Sequence, residues 1–431
     1  MNSRFGLRAA WLCSAALITS LLLLAGLSCA QSGQVGNRAA TFDEVWSVIN
    51  ESFYDQNFGG HDWAAIGKEF RDRVVNAATE KDFFVGLNAM LFELGVSHIG
   101  VIPDDHPEWI GAPATFANGE TGLDLRIIDE RMVITRRSDK LGNAAPDLKP
   151  GTTITRLNGL TVEDFRDEVS EPPVPAIPQI MLLTERAARE LYRDAGEEVE
   201  IAYLDKAGNE QTVSLQAYPR DSAIELLEGI PPVYVDFEAQ RLPENIGYVR
   251  FNSFHPALTN RILDAIREFN DGDGLIIDVR GNSGGDFNVR RAIAEQLISE
   301  RALVWRYVGR SGADDIFLEP ASDAYHGPVV FIVDELSASS AEELPGAMQA
   351  LGRAHVVGTR SAGLVLVADV RRLDIGATLV YPHAETRFVD GSVPEGRGIT
   401  PDVEVAYDES SLRCGVDAQL ETAIRLISEE L

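Results

Sequence analysis

The chain has 431 residues, 45% of them hydrophobic and 24% charged, which suits about three packed domains and excludes a disordered chain, a peptide hormone or a disulfide miniprotein. Against 38 basic residues stand 67 acidic ones, a formal charge of −29. Such a field repels phosphate backbones and anionic lipid, so no nucleic-acid or peripheral-membrane partner is expected.

Residues 1–30 read as an export signal: Arg4 and Arg8 precede an apolar run from Ala9 to Leu27 that ends in Ser28-Cys29-Ala30. Cleavage after Ala30 removes two arginines and no acid, leaving 36 basic against 67 acidic residues, a mature charge of −31. An uncleaved anchor is an alternative that Ser14, Thr19 and Ser20 weaken, and no stable membrane span is expected in the mature protein. Lipid attachment at Cys29 is a second alternative, with Gly26 where a lipoprotein signal normally has Leu. Cys13 and Cys29 lie in the leader and only Cys414 remains, so no intramolecular disulfide framework is expected.

Residues 31–110 form a predicted helical unit. Thr41 and Glu44 make a capping-box pattern ahead of Phe42, Val45, Trp46, Ile49 and Phe53. Gly59-Gly60 breaks this helix from a second, with Ile66, Phe70, Val74 and Val75, and a third runs from Phe83 to Leu94. Its end delivers Val96-Ser97-His98. Residues 119–219 change to short β runs at 122–128, 132–135, 152–157, 199–203 and 211–215, with a proline-rich surface loop at 172–178. From 225 to 431 strands at 246–251, 274–279, 329–334 and 356–357 alternate with helices at 258–269, 289–298 and 341–351. That order predicts βαβ units with strands buried on both faces and ligands beyond the strands' carboxyl ends. Pro345 predicts a distorted first turn in the last helix.

Two serines follow such strands. Gly281-Asn282-Ser283-Gly284-Gly285 fits a nucleophile elbow, or else a glycine turn that turns backbone N–H groups toward a ligand. Ser339, in Ser337-Ala338-Ser339-Ser340-Ala341-Glu342, also opens a helix, where free N–H groups favour an oxyanion, although a serine there commonly just caps the helix.

Taken together, the strings Leu275 to Gly285, Ser337 to Glu342 and Gly398-Ile399-Thr400-Pro401-Asp402-Val403 resemble the C-terminal-processing (tail-specific) serine protease family. The segment from Ala144 to Gly151 with Leu157-Asn158-Gly159 is similar to a PDZ signature. The resemblance implies a crotonase-like α/β core, preceded by a PDZ-like unit that binds the C-termini of polypeptides by adding a strand. It implies Ser339 as nucleophile, because position 283 is often proline in the family. Most members pair that serine with a lysine in a Phe-Gly-Lys-Gly motif, which here reads Ala362-Gly363-Leu364-Val365, so either the protein is inactive or another residue activates Ser339. The tricorn-like branch supplies one. Ser97-His98 and Glu395 match its Ser-His-Glu set, implying that His98 is the general base and that Glu395 orients it through Ser97.

The backbone N–H groups of Gly284 and Ser340 are the expected oxyanion donors, with Gly285 as the near alternative. Histidines 61, 106, 255, 326, 355 and 383 show no metal-ligand spacing, so neither metal nor cofactor is expected. The expected function is an exported, periplasmic or extracellular peptidase acting on polypeptides, and the sequence leaves its oligomeric state open. Two alternatives stand beside it: an esterase using Ser283, and a non-catalytic protein binding peptides or apolar ligands on the same scaffold.

Overall fold

The computed structural model describes residues 37–110, 117–169, 177–221, 223–224 and 232–430. The expected leader with Cys13 and Cys29, and most of the proline-rich segment, lie outside the described residues.

Six strands form the central sheet, in the spatial order Phe237–Leu242, Ile246–Phe251, Gly274–Asp278, Val329–Val333, His355–Gly358, Val403–Glu404. The first pair is antiparallel and the rest are parallel. Alternation along the two middle strands divides their side chains between two cores. Leu275, Ile277, Val329, Phe331 and Val333 meet helices Thr259–Glu268, Phe287–Leu297 and Ser340–Ala350 on one face. Ile276, Val330 and Ile332 meet Ala423 and Ile427 of helix Ala418–Glu430 on the other. Burial of both faces is what the continuous apolar runs required. The helix Ser340–Ala350 runs unbroken through Pro345, so the distortion expected there does not interrupt it. Proline removes only one donor, and Glu342 and Glu343 both bond back to the Ser339 carbonyl at 2.8 and 2.9 Å.

A second sheet was not legible from local pattern. Gly100–Pro103, Ala377–Arg387, Ala302–Gly309 and Gly312–Leu318 lie side by side, and Val367–Leu373 also pairs with the long strand Ala377–Arg387. Through the Gly100↔Val380 register this sheet ties the N-terminal helices to the residues beyond 360. Those helices cover 37–52, Trp63–Val75 and Glu80–Phe92, and their core of Phe42, Ile49, Phe83, Leu87 and Leu91 continues onto Leu373 and Leu379. The first is already helical at residue 37, where Arg38 anchors it by donating to the Ala77 carbonyl at 2.7 Å. Thr41 is therefore inside the helix and does not cap it.

Residues 123–216 hold a five-stranded antiparallel sheet with the strands in sequence order. Helices Val162–Val169 and Gln179–Ala188, which the β-rich reading omitted, cover it with Phe165, Leu183 and Ala187. Among the described residues no helix is long and apolar enough to cross a membrane.

Candidate active site

The site lies at the carboxyl ends of the two middle strands. After Val329–Val333 the backbone turns at Asp334, and Ser339 takes φ 56° and ψ −121° before the helix begins at Ser340. An L residue in this region stores roughly 1–3 kcal/mol of strain, which surrounding bonds must hold. Here Ser337 Oγ donates to the Val279 carbonyl at 2.8 Å, the Ala338 N–H to the Asn282 carbonyl at 3.0 Å, and the Ser339 N–H to the Leu364 carbonyl at 2.9 Å. The sharp turn leaves the Ser339 hydroxyl facing His98.

The opposite wall comes from just before strand Gly100–Pro103. His98, also at positive φ (54°), places Nε2 3.3 Å from Ser339 Oγ. Its Nδ1 lies 2.8 Å from Ser97 Oγ, which lies 2.9 Å from Glu395 Oε2, while the Ser97 N–H donates to Glu395 Oε1 at 2.9 Å. Counting protons fixes the tautomer. The Glu395 carboxylate can only accept, so the single Ser97 hydroxyl proton goes to it; Ser97 Oγ then accepts from Nδ1–H, and Nε2 keeps a lone pair for the Ser339 hydroxyl. Burial pulls the His98 pKa down from 6.5 to about 4, keeping the ring neutral at pH 7. Burial raises that of Glu395, against the pull of bonds from Val365, Ser97 and Leu366. Among the described residues no ion pair joins Glu395 to Arg397.

The structure corrects one expectation. The Gly284 N–H donates to Asn282 Oδ1 at 2.8 Å and is therefore occupied. Gly284 acts instead by having no side chain: at φ 97°, a Cβ there would sit 2.6 Å from Ser339 Cβ. The amides of Ser340 and Gly285 carry no hydrogen bond among the described residues. Ser340 Oγ, donating to the Gly285 carbonyl at 3.0 Å, holds those two residues together.

Ser283 is exposed, and no described histidine is bonded to it. His326 and His355 line a cavity of about 530 Å³ at the other end of the sheet, and His383 faces Asp369 at 3.4 Å. Leu364, at the family's lysine position, packs its side chain with Met181, Ala338 and Ala362. Among the described residues no group of three His, Cys, Asp or Glu is placed to hold a metal.

Sequence reasoning passed over the buried Glu342. It accepts from Ser361 Oγ and the Gly363 N–H (both 2.6 Å) on one oxygen, and from the Leu364 and Ser339 N–H groups (2.9 and 3.1 Å) on the other. The Ser339-x-x-Glu342 capping-box spacing was the available signal.

The fold and the family matches of the sequence define a serine peptidase. Residues 245–405 match the model of Peptidase family S41 and residues 36–92 that of the Tricorn protease C1 domain. The protein belongs to this family of C-terminal-processing and tricorn serine proteases, whose substrates are polypeptides. It is 24% identical over 396 residues to the carboxyl-terminal-processing protease of Synechocystis sp., covering 89% of this sequence and 86% of that one. To the tricorn protease of Thermoplasma acidophilum it is 24% identical over 405 residues, covering 90% of this sequence but only 34% of that longer protein. The solved photosystem II D1 C-terminal processing protease superposes with a TM-score of 0.56 at 20% identity, covering 91% of this sequence and 97% of that one.

Proposed function

We propose that this protein is an exported peptidase that cleaves polypeptides through an acyl-enzyme on Ser339. Ser339 Oγ attacks the scissile carbonyl while His98 Nε2 takes its proton. The imidazolium so formed is balanced through Ser97 by Glu395, and the oxyanion is received by the N–H groups of Ser340 and Gly285 at the positive end of the helix. His98 then protonates the leaving amine, the C–N bond breaks, and a water deprotonated by His98 releases the acyl group. The unit at 119–219 is PDZ-like and presents a strand edge to substrate C-termini, the core from 225 to 431 is crotonase-like, and residues 1–30 direct export.

What carries this reading is the series of hydrogen bonds from Ser339 through His98 and Ser97 to Glu395, whose members come from three separate stretches of sequence. Loss of the family lysine together with a histidine in reach of Ser339 is an exchange of bases, not a decayed site. The test is labelling by a fluorophosphonate probe together with casein cleavage. Ser339→Ala should abolish both and Ser283→Ala should keep both within about twofold, as for surface substitutions remote from the chemistry. Loss in Ser283→Ala alone rejects the assignment and favours the esterase reading.

A further inference from the structure

Glu342 is fully buried, and no described cation pairs with it, unlike its neighbour Glu343, which meets Arg290. A buried carboxylate without a cation is a costly choice for stability alone. Its chemistry explains the choice: each of its oxygens only accepts, and here each receives two donors. A glutamine of the same size would turn an NH₂ group toward N–H donors.

The donors also have an order. Gly363 and Leu364 give their N–H groups to Glu342, and the next amide, Val365, gives its own to Glu395 Oε2 at 2.8 Å. Three successive amides thus lie between the carboxylate under the nucleophile and the carboxylate that orients the base. The segment is fixed from outside as well. The Gly396 N–H donates to the Gly363 carbonyl at 2.8 Å, and Ser361 Oγ accepts from the Ile399 N–H at 2.6 Å. A side chain at Gly363 (φ 77°) would press on the Gly398 N at 2.8 Å, so this approach needs glycine.

We propose that Glu342 is a positioning residue that holds Ser339 at its working distance from His98 by gripping the backbone of residues 361–364. The segment that resembles the family's lysine motif thus serves this protein as a backbone spacer between its two carboxylates. The proposal rests on the Ser339–His98 reading above.

Two variants test it, Glu342→Gln and Ser361→Ala, the second touching only the far side of the clamp. Fluorophosphonate labelling of Ser339 should slow at least tenfold in the first and a few-fold in the second. KM for a peptide should stay unchanged while kcat falls, a split that general loosening of the fold would not give. A crystal structure of Glu342→Gln should show Ser339 Oγ and His98 Nε2 farther apart than 3.3 Å. If Glu342→Gln does not fold, Ser361→Ala decides alone. Wild-type labelling rates in the folded variants, or an unchanged Oγ–Nε2 distance, overturn the proposal. If wild-type Ser339 takes no label but the distance still lengthens in Glu342→Gln, the clamp stands and the peptidase reading falls.

Discussion

Two neighbouring turns of this protein have nearly the same local design. Strands Gly274–Asp278 and Val329–Val333 pair in parallel, each leads to a buried aspartate, and each is followed by a serine ahead of a helix. At the first turn Asp278 is occupied by Arg280, and the exposed Ser283 lines a cavity with no described histidine bonded to it. At the second, Ser339 is held at positive φ with an imidazole 3.3 Å away, contributed from 241 residues earlier in the sequence. A strand-turn-helix pattern therefore makes a place for a serine at the end of the sheet, and distant residues decide which such serine has an imidazole beside it.

The largest expected effect removes that distinction. His98→Ala should leave Ser339 without a base, as Ser283 is, lowering kcat for a peptide substrate by about 10⁶-fold, the scale seen when the histidine of a serine–histidine unit is removed. A loss below about tenfold, measured by steady-state kinetics, would mean that another group activates Ser339 and that the two turns differ for a reason other than the histidine.

Next comes a variant that should disturb both turns together. Asp334 Oδ1 accepts from the Gly281 N–H at 2.8 Å and the Leu336 N–H at 3.2 Å, so one carboxylate fastens both loops. Arg126, from the β-rich unit, donates twice to Asp334 Oδ2, at 2.8 and 2.7 Å, and the pair is almost wholly buried. Arg126→Met leaves a buried charge short of its partner and should destabilise by about 3–5 kcal/mol, read from urea unfolding at pH 7. Arg126→Met with Asp334→Asn should recover part of that loss. A cost under about 1 kcal/mol, the range of an exposed pair, would show the turns to be held independently of the β-rich unit.

The contrast also explains what the sequence could disclose. The parallel strands were legible because residues such as Ile276 and Ile277 form apolar runs that only two-sided burial accommodates. Ser97, His98, Ser339 and Glu395 were selected by their resemblance to a family, since nothing local to His98 distinguishes it from a packed histidine. The second sheet escaped because its strands draw on residues from 100 to 387, and both Val367–Leu373 and Gly312–Leu318 expose most of their residues, with Asp369, Arg371, Arg372, Asp314 and Asp315 interrupting any apolar alternation. The occupied Gly284 amide could not be foreseen either. It depends on the Asn282 side chain folding back, a rotamer choice set by the Phe251 carbonyl, to which Asn282 Nδ2 donates at 2.8 Å.

The smallest expected effect is in the pH profile, where the two turns differ because only at the second does a described histidine stand beside the serine. A general base works unprotonated, so kcat/KM falls as pH drops through the pKa of the free enzyme's base. With burial holding His98 near 4, that limb should lie near pH 4 and not near 6.5. A solvated histidine of pKa 6.5 would keep only about a tenth of its neutral form at pH 5.5, whereas His98 keeps nearly all of it. Glu395, raised by burial, is linked to His98 through Ser97, so the lower step belongs to the two together. A second, shallower step should appear above it. Burial pushes Glu342 up to about 7, outweighing the bonds from Ser361, Leu364, Gly363 and Ser339 that favour its charge. Taking up a proton turns one of its acceptor sites into a donor facing an N–H, so the clamp slackens and kcat/KM should fall a few-fold as pH drops through 7. Glu342→Gln should lack this upper step and keep the lower one. A single limb at 6.5 in both proteins would place His98 in water, and the two turns would then differ in proximity to a histidine but not in the environment that tunes it.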